Sequence, residues 1–184
     1  AVQHPPDDVQ FCIIDGKGLD FDAFAGKAHT WYLTRKPEHL PAAMQALTHE
    51  RLRRTEVLRE AGVNRWESYP GDDLPLLVVY VSELSLLEDQ VGKNDLTNWM
   101  NSELTSSAGF GIRYIVATQT SSNLGTRWRC QINLYVAAFQ PSQSQDQPNT
   151  GLTTGEIRAA GGTPPSALPP PPGGAGLFTA CWGR

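Results

Sequence analysis

Three apolar runs in this chain end in residues able to do phosphate chemistry: Asp15 follows Ile13-Ile14, Ser82-Glu83 follows Val79-Tyr80-Val81, and Thr118-Gln119 follows Ile115-Val116-Ala117. A carboxylate at the end of a buried strand can support a cation or take a proton from an attacking water. An amide such as Gln119 can orient that water by donating and accepting at once. Plainer readings stand beside these. Ser82 can cap the next helix, with Glu83 favouring its positive end, and Gln119 can tie adjacent strands together. Asp15-Gly16 can be a simple turn followed by a solvated Lys17; alternatively, both residues lie near bound phosphates, with Asp15 fixing a loop or a metal's water. Arg127 and Arg129 flank Trp128. They can meet a phosphate in cis, act as an arginine finger on a neighbouring subunit, or stand as solvated arginines around a packed indole.

Other chemistries lack their residues. His4, His29, His39 and His49 show no metal-ligand spacing and no Ser or Cys nucleophile partner, which argues against a zinc site and a hydrolase triad. Cys12, Cys130 and Cys181 are odd in number, far apart and set in apolar stretches, the pattern of buried thiols in a reducing compartment. No G-x-x-x-x-G-K-S/T phosphate loop occurs; Gly16-Lys17-Gly18 has neither its spacing nor its hydroxyl.

The elements that must position these residues read as α/β. The 184 residues suit one such domain, and a 40% hydrophobic content is that of a folded chain. Val9 to Ile14, His29 to Leu33 and Leu74 to Val81 read as strands, the last without alternation, as expected of a central parallel strand. Pro37 opens a long helix to about Ala61, with Leu40, Met44, Leu47 and Leu58 on one face, Arg and Glu on much of the other, and Gly62 as its stop. Leu84 to Val91 and Leu96 to Thr105 read as helices, the second capped by Asn94 or Asp95. Ile112 to Ala117 and Ile132 to Ala138 read as two further central strands, and Leu177 to Ala180 as a terminal one. Gln140 to Asn149 reads as a polar surface loop and Thr154 to Ala160 as a short helix. The Pro/Gly-rich stretch 163–176 reads as a rigid, locally extended connection. The apolar run closed by Glu83 has the form of a Walker B strand, whose acidic residues hold Mg²⁺ and polarise the attacking water.

Taken in order, these segments resemble the FtsK/SpoIIIE family of DNA-translocating ATPases from just after the Walker A helix onward. Val9 to Lys17 is similar to the family's strand ending in Ile-Asp-Pro-Lys, with Gly16 in place of the proline. Glu50-Arg51-Leu52-Arg53-Arg54 resembles its Arg-Arg helix, and Ala61-Gly62-Val63-Asn64-Arg65 with Tyr69 follows at the family's spacing. Leu74 to Leu84 resembles the strand carrying the Walker B Asp-Glu pair, Val116 to Thr120 the Ala-Thr-Gln element, and Thr126-Arg127 a Thr-Arg pair before the next strand; Gly174 to Phe178 resembles the closing turn and strand.

The resemblance implies a RecA-like P-loop NTPase fold, a mostly parallel sheet flanked by helices, here without the P-loop and first strand. It implies ATP and Mg²⁺ as cofactors, a homo-hexameric ring around double-stranded DNA, and a cytoplasmic location, with any membrane tether in regions outside this sequence. Glu83, Gln119 and Arg127 are the expected catalytic residues, and Asp15, Lys17 and Ser82 the expected nucleotide-binding ones. Ser82 stands where the family has its metal-associated aspartate, so metal support is expected to be weaker. A nonhydrolytic module derived from the same fold is the alternative. Ala1 in place of an initiator Met fits a segment of a larger product, in which the P-loop is expected upstream, and equally a processed or trimmed chain.

Overall fold

A computed structural model describes residues 3–119 and 131–182. The chain divides into two compact units, Ala1–Gln119 and Thr120–Arg184.

The first unit is built on four parallel strands: β1 (Val9–Asp15), β2 (Thr30–Thr34), β3 (Leu76–Ser82) and β4 (Ile112–Val116), in the order β2-β1-β3-β4. Register and pleat sort their side chains. Cys12 lies beside Val79, which lies beside Tyr114; Ile14, Val81 and Val116 form the next row, and Leu77 sits beside Ile112. Cys12, Ile14, Leu77, Val79, Val81 and Ile112 are all buried. Three helices supply the opposing apolar surface: α1 (Leu40–Glu60) through Leu40, Ala43, Leu47 and Leu58, α2 (Leu84–Val91) through Leu84 and Leu87, and α3 (Lys93–Ser106) through Leu96 and Met100. Tyr114 marks this side of the sheet, since its ring meets Trp99 of α3 edge-on at 6.2 Å. Burial pushes the Tyr114 hydroxyl well above its ordinary value, and the neighbouring Glu103 carboxylate adds to the effect. On the opposite face the β1–β2 connection contributes Phe21, packed on Tyr80 at 5.0 Å between ring centroids, and Phe24, packed on Phe11 at 6.1 Å. This is the expected RecA-like α/β arrangement, a parallel sheet flanked by helices.

Helix α1 departs from its simple amphipathic reading. Its hydrophobic positions face inward as expected, but Glu50 and Arg54, assigned by pattern to the polar face, are buried. Arg54 donates to Glu50 Oε1 at 2.8 Å and to the carbonyls of Pro75, Phe110 and Gly111 at 2.9, 3.0 and 3.2 Å. One guanidinium thus ties α1 to the chain entering β3 and to the turn entering β4. The partners lie far away in sequence, so helical periodicity alone cannot reveal them. Glu103 is a second buried anchor, accepting from Arg51 Nε at 3.1 Å and Ser107 Oγ at 2.8 Å.

In the second unit β5 (Leu134–Ala137) pairs antiparallel with β6 (Thr179–Trp182), Leu134 opposite Trp182. The Ile132–Ala138 run was expected as a central parallel strand; the structure corrects this. Its apolar residues alternate in exposure, Leu134 at 43% and Val136 at 59% against Ala137 at 5%, as in a strand covered on one face. Asp146 is fully buried and organises the rest, accepting from Thr154 Oγ1 at 2.7 Å and from Ser166 N and Oγ at 2.9 and 2.7 Å. It opens the short helix Asp146–Thr150, where a surface loop was expected. Thr153 and Glu156 form a capping box at the start of the helix Thr154–Ala159. The proline-rich stretch is not extended throughout: it folds back over 171–176, with Gly174 N donating to Pro170 O at 3.1 Å.

Candidate functional site

The carboxyl ends of β1, β3 and β4 lie side by side, the end of a parallel sheet at which open α/β folds place their ligands. Asp15 and Ser82 are register partners. Asp15 is 2% exposed, and both its oxygens are committed: Oδ1 accepts from Lys17 N and Oδ2 from Asp20 N, each at 3.0 Å. The carboxylate therefore caps its own turn and fixes the loop that follows it, which both of its sequence readings allow. Lys17 contributes its backbone to that cap and its side chain is exposed.

Two glycines make the turn possible. Gly18 has φ +77°, and a Cβ there would lie 2.3 Å from the Arg35 carbonyl oxygen. At Gly16 a Cβ would come within 3.0 Å of Ser82 O and 3.4 Å of Glu83 O, so the β1 turn lies directly against the end of β3.

Glu83 is the most unusual residue in the crevice. It is the only non-glycine residue with positive φ among the described residues, at φ 52°, and it is 8% exposed. Left-handed backbone at a side chain with a Cβ is strained by about 1–3 kcal/mol and collects at functional sites. The conformation is held by the chain on either side: Ala117 N donates to Val81 O at 2.8 Å and Leu84 N to Ala117 O at 3.0 Å, locking the exit of β3 to that of β4. Glu83 Oε1 accepts from Ser85 Oγ at 2.6 Å and from Gln119 N at 3.4 Å.

The anticipated cap is therefore corrected. Ser82 makes no side-chain capping bond to α2; Glu83 occupies the N-cap position, and Ser85 bonds back to it. Helix α3 likewise begins at Lys93 behind Gly92, and neither Asn94 nor Asp95 caps it. Gln119 reaches the site through its amide N–H, and its side chain is exposed. Ser85 went unnoticed in the sequence. The available signal was a hydroxyl two residues after a carboxylate at a helix start, where short polar side chains bond locally. Arg127 and the neighbouring Arg129 lie outside the described residues.

The donor set does not fit a directly held Mg²⁺. Ser82 offers a neutral hydroxyl, 6% exposed and without a hydrogen-bond partner among the described residues, and the adjacent Asp15 carboxylate is committed to backbone N–H groups. Among the described residues no three His, Cys, Asp or Glu side chains are grouped to hold a metal. What the crevice presents besides Asp15 is a second buried, oriented carboxylate, Glu83.

Residues 1–120 match the FtsK/SpoIIIE family. The chain belongs to that family. No curated protein matches it. Among solved structures, it is similar to the pCW3 conjugation coupling protein TcpA in its monomer form with ATPγS, at a TM-score of 0.75 and 16% identity over 97% of this chain and 51% of that one. It is also similar to the cytoplasmic domain of the Thermomonospora curvata type VII secretion ATPase EccC, at a TM-score of 0.70 and 19% identity over 98% of this chain and 22% of that one. EssC (ATPases 2 and 3) from Geobacillus thermodenitrificans gives a TM-score of 0.65 at 14% identity, covering 82% of this chain and 29% of that one. At these identities the likeness is one of fold, and this chain spans about half or less of each of those proteins. Among the described residues no helix is long and apolar enough to cross a membrane.

Proposed function

We propose that this chain supplies the Walker B and sensor part of an ATP-driven translocation motor, and that the polymer moved is double-stranded DNA. The observation that carries the proposal is Glu83 at the exit of β3: buried, backbone-strained, and bonded through Oε1 to Ser85 and to the β4 exit. ATP binds with its phosphates on a P-loop outside this sequence, and the terminal phosphate faces the ends of β3 and β4. Glu83 takes the proton of the attacking water as the water's oxygen bonds to phosphorus and the bond to the ADP oxygen breaks. The Gln119 segment, hydrogen-bonded to Glu83, carries the nucleotide's state to β4. Ser82, a neutral hydroxyl, would support a phosphate-bound Mg²⁺ at most through a water, so it would add little to metal affinity. Arg127 is proposed as the phosphate contact or arginine finger in a homo-hexameric ring.

The DNA assignment rests on the family match and on likeness to a conjugation coupling protein. The net charge of −4 argues against a broadly basic surface, so contact would be with a few backbone phosphates per subunit. The test is ATP turnover by the longer product containing this chain, measured with duplex DNA and with polypeptide over a range of salt. Stimulation by duplex DNA that falls steeply with salt supports the proposal. Stimulation by polypeptide alone overturns the DNA assignment. A second reading, a nonhydrolytic module, is favoured by Ser82 and by the committed Asp15 carboxylate; nucleotide binding without turnover under any of these conditions would establish it in place of the motor.

A further inference from the structure

We propose that Ser85 is the positioning residue for Glu83, fixing which carboxylate oxygen faces the reacting water. The proposal rests on the reading of Glu83 as proton acceptor. Ser85 is the second residue of α2, half-buried, and its hydroxyl turns back to donate to Glu83 Oε1 at 2.6 Å. That is the length of an O–H to carboxylate bond with a charged acceptor, the stronger class of hydrogen bond. The other donor to the same oxygen, Gln119 N, stands at 3.4 Å, beyond the usual N–H to O range, and cannot orient the group alone.

Among the described residues both bonds fall on Oε1, so Oε2 is the oxygen that would meet a water. A glutamate has three side-chain torsions and would otherwise sample several rotamers at the mouth of the crevice. The strained backbone at position 83 directs the Cα–Cβ bond, and Ser85 fixes the far end. A pinned carboxylate presents one basic oxygen in one place, which is what proton abstraction in the transition state requires. In this role Ser85 acts through its bond to Glu83 and needs no contact with the nucleotide.

The test compares Ser85→Ala, Ser85→Thr and Glu83→Gln in the longer product that carries the P-loop, reading kcat and KM for ATP. A hydrogen bond to a charged group is worth enough that S85A is expected to lower kcat by roughly 10-fold or more. KM should stay within about 2-fold, because the bond acts on the transition state and not on uniform binding. Ser85→Thr, which keeps the hydroxyl, should recover most of kcat. S85A with wild-type or raised kcat beside an inactive Glu83→Gln overturns the positioning role and leaves the Glu83 reading standing. Loss of turnover that S85T does not restore, with KM and kcat both shifted, also overturns it, since Ser85 then serves only to shape the start of α2. Full turnover by Glu83→Gln removes the Glu83 reading and this proposal with it.

Discussion

Replacing Glu83 by glycine and, separately, by alanine isolates the strain at the exit of β3. Both substitutions remove the carboxylate and its bonds to Ser85 and Gln119, so they differ only in the Cβ. At an ordinary right-handed or extended position glycine is the less stable choice, by about 0.5–1 kcal/mol, because the unfolded chain is freer. At φ 52° the Cβ meets the following carbonyl, a cost of about 1–2 kcal/mol that glycine avoids. The difference, about 0–1.5 kcal/mol and centred on roughly 0.75, predicts that E83G is more stable than E83A, a reversal of the usual sign. In thermal unfolding of a chain this long, that is a Tm gap of about 1–4 °C. Urea unfolding gives the same difference through the midpoint, provided the slope is unchanged. Both variants should lack ATP turnover, separating stability from activity at a single position. If E83A is the more stable of the two, position 83 is not held in the left-handed region, and the case for a strained, functionally placed glutamate fails.

Three further outcomes follow from the same geometry. Arg54→Ala should destabilise the first unit by about 3–5 kcal/mol in chemical denaturation, because it removes the inner partner of a buried ion pair and strands three carbonyls; Arg54→Met should be milder only in its packing. Burial pushes the Glu50 carboxyl up, but hydrogen bonds from Arg53 and Arg54 outweigh it and hold the group below its ordinary value. Its stabilising contribution is therefore present above the unfolded value of about 4.3 and lost as pH falls through the lower folded one; on acidification below that unfolded value the wild type should lose stability more steeply than Glu50→Gln. Ser82→Asp places a charge beside Asp15 and Glu83, where the proposed motor would use an aspartate to support its metal. It should lower the Mg²⁺ concentration needed for half-maximal ATP turnover by about 10-fold or more, and an unchanged Mg²⁺ requirement would show that the missing charge is not what sets metal affinity here.

Much of the first unit was legible because local signals agree with the fold. The unbroken Leu-Leu-Val-Val-Tyr-Val run is β3, flanked on both sides by parallel neighbours, and α1 runs from the turn opened by Pro37 to the stop at Gly62. The strand-end residues also fall where apolar runs stop, since a parallel strand loses its covering helices there. What escaped was fixed by long-range or conformational partners. Arg54 and Glu50 look like surface charges until Pro75, Phe110 and Gly111 supply acceptors from distant segments. Ser82 looks like a helix cap because nothing in a one-dimensional pattern shows that Glu83 turns left-handed. Ile132–Ala138 has a central strand's composition, but its pairing with β6 is decided by a partner more than forty residues away. The Asp15 turn depends on the fit of Gly18 against Arg35, which only the folded backbone reveals.

Glu83 is the group proposed to accept the proton during hydrolysis. Its most direct test is Glu83→Gln in the P-loop-containing product, with ATP binding measured by fluorescence titration and turnover by phosphate release on the same preparation. Gln keeps the shape and the oxygen that accepts from Ser85 but removes the base, so binding should stay within about 3-fold while turnover falls by about 100-fold or more. Turnover at the wild-type rate, with binding intact, would contradict it.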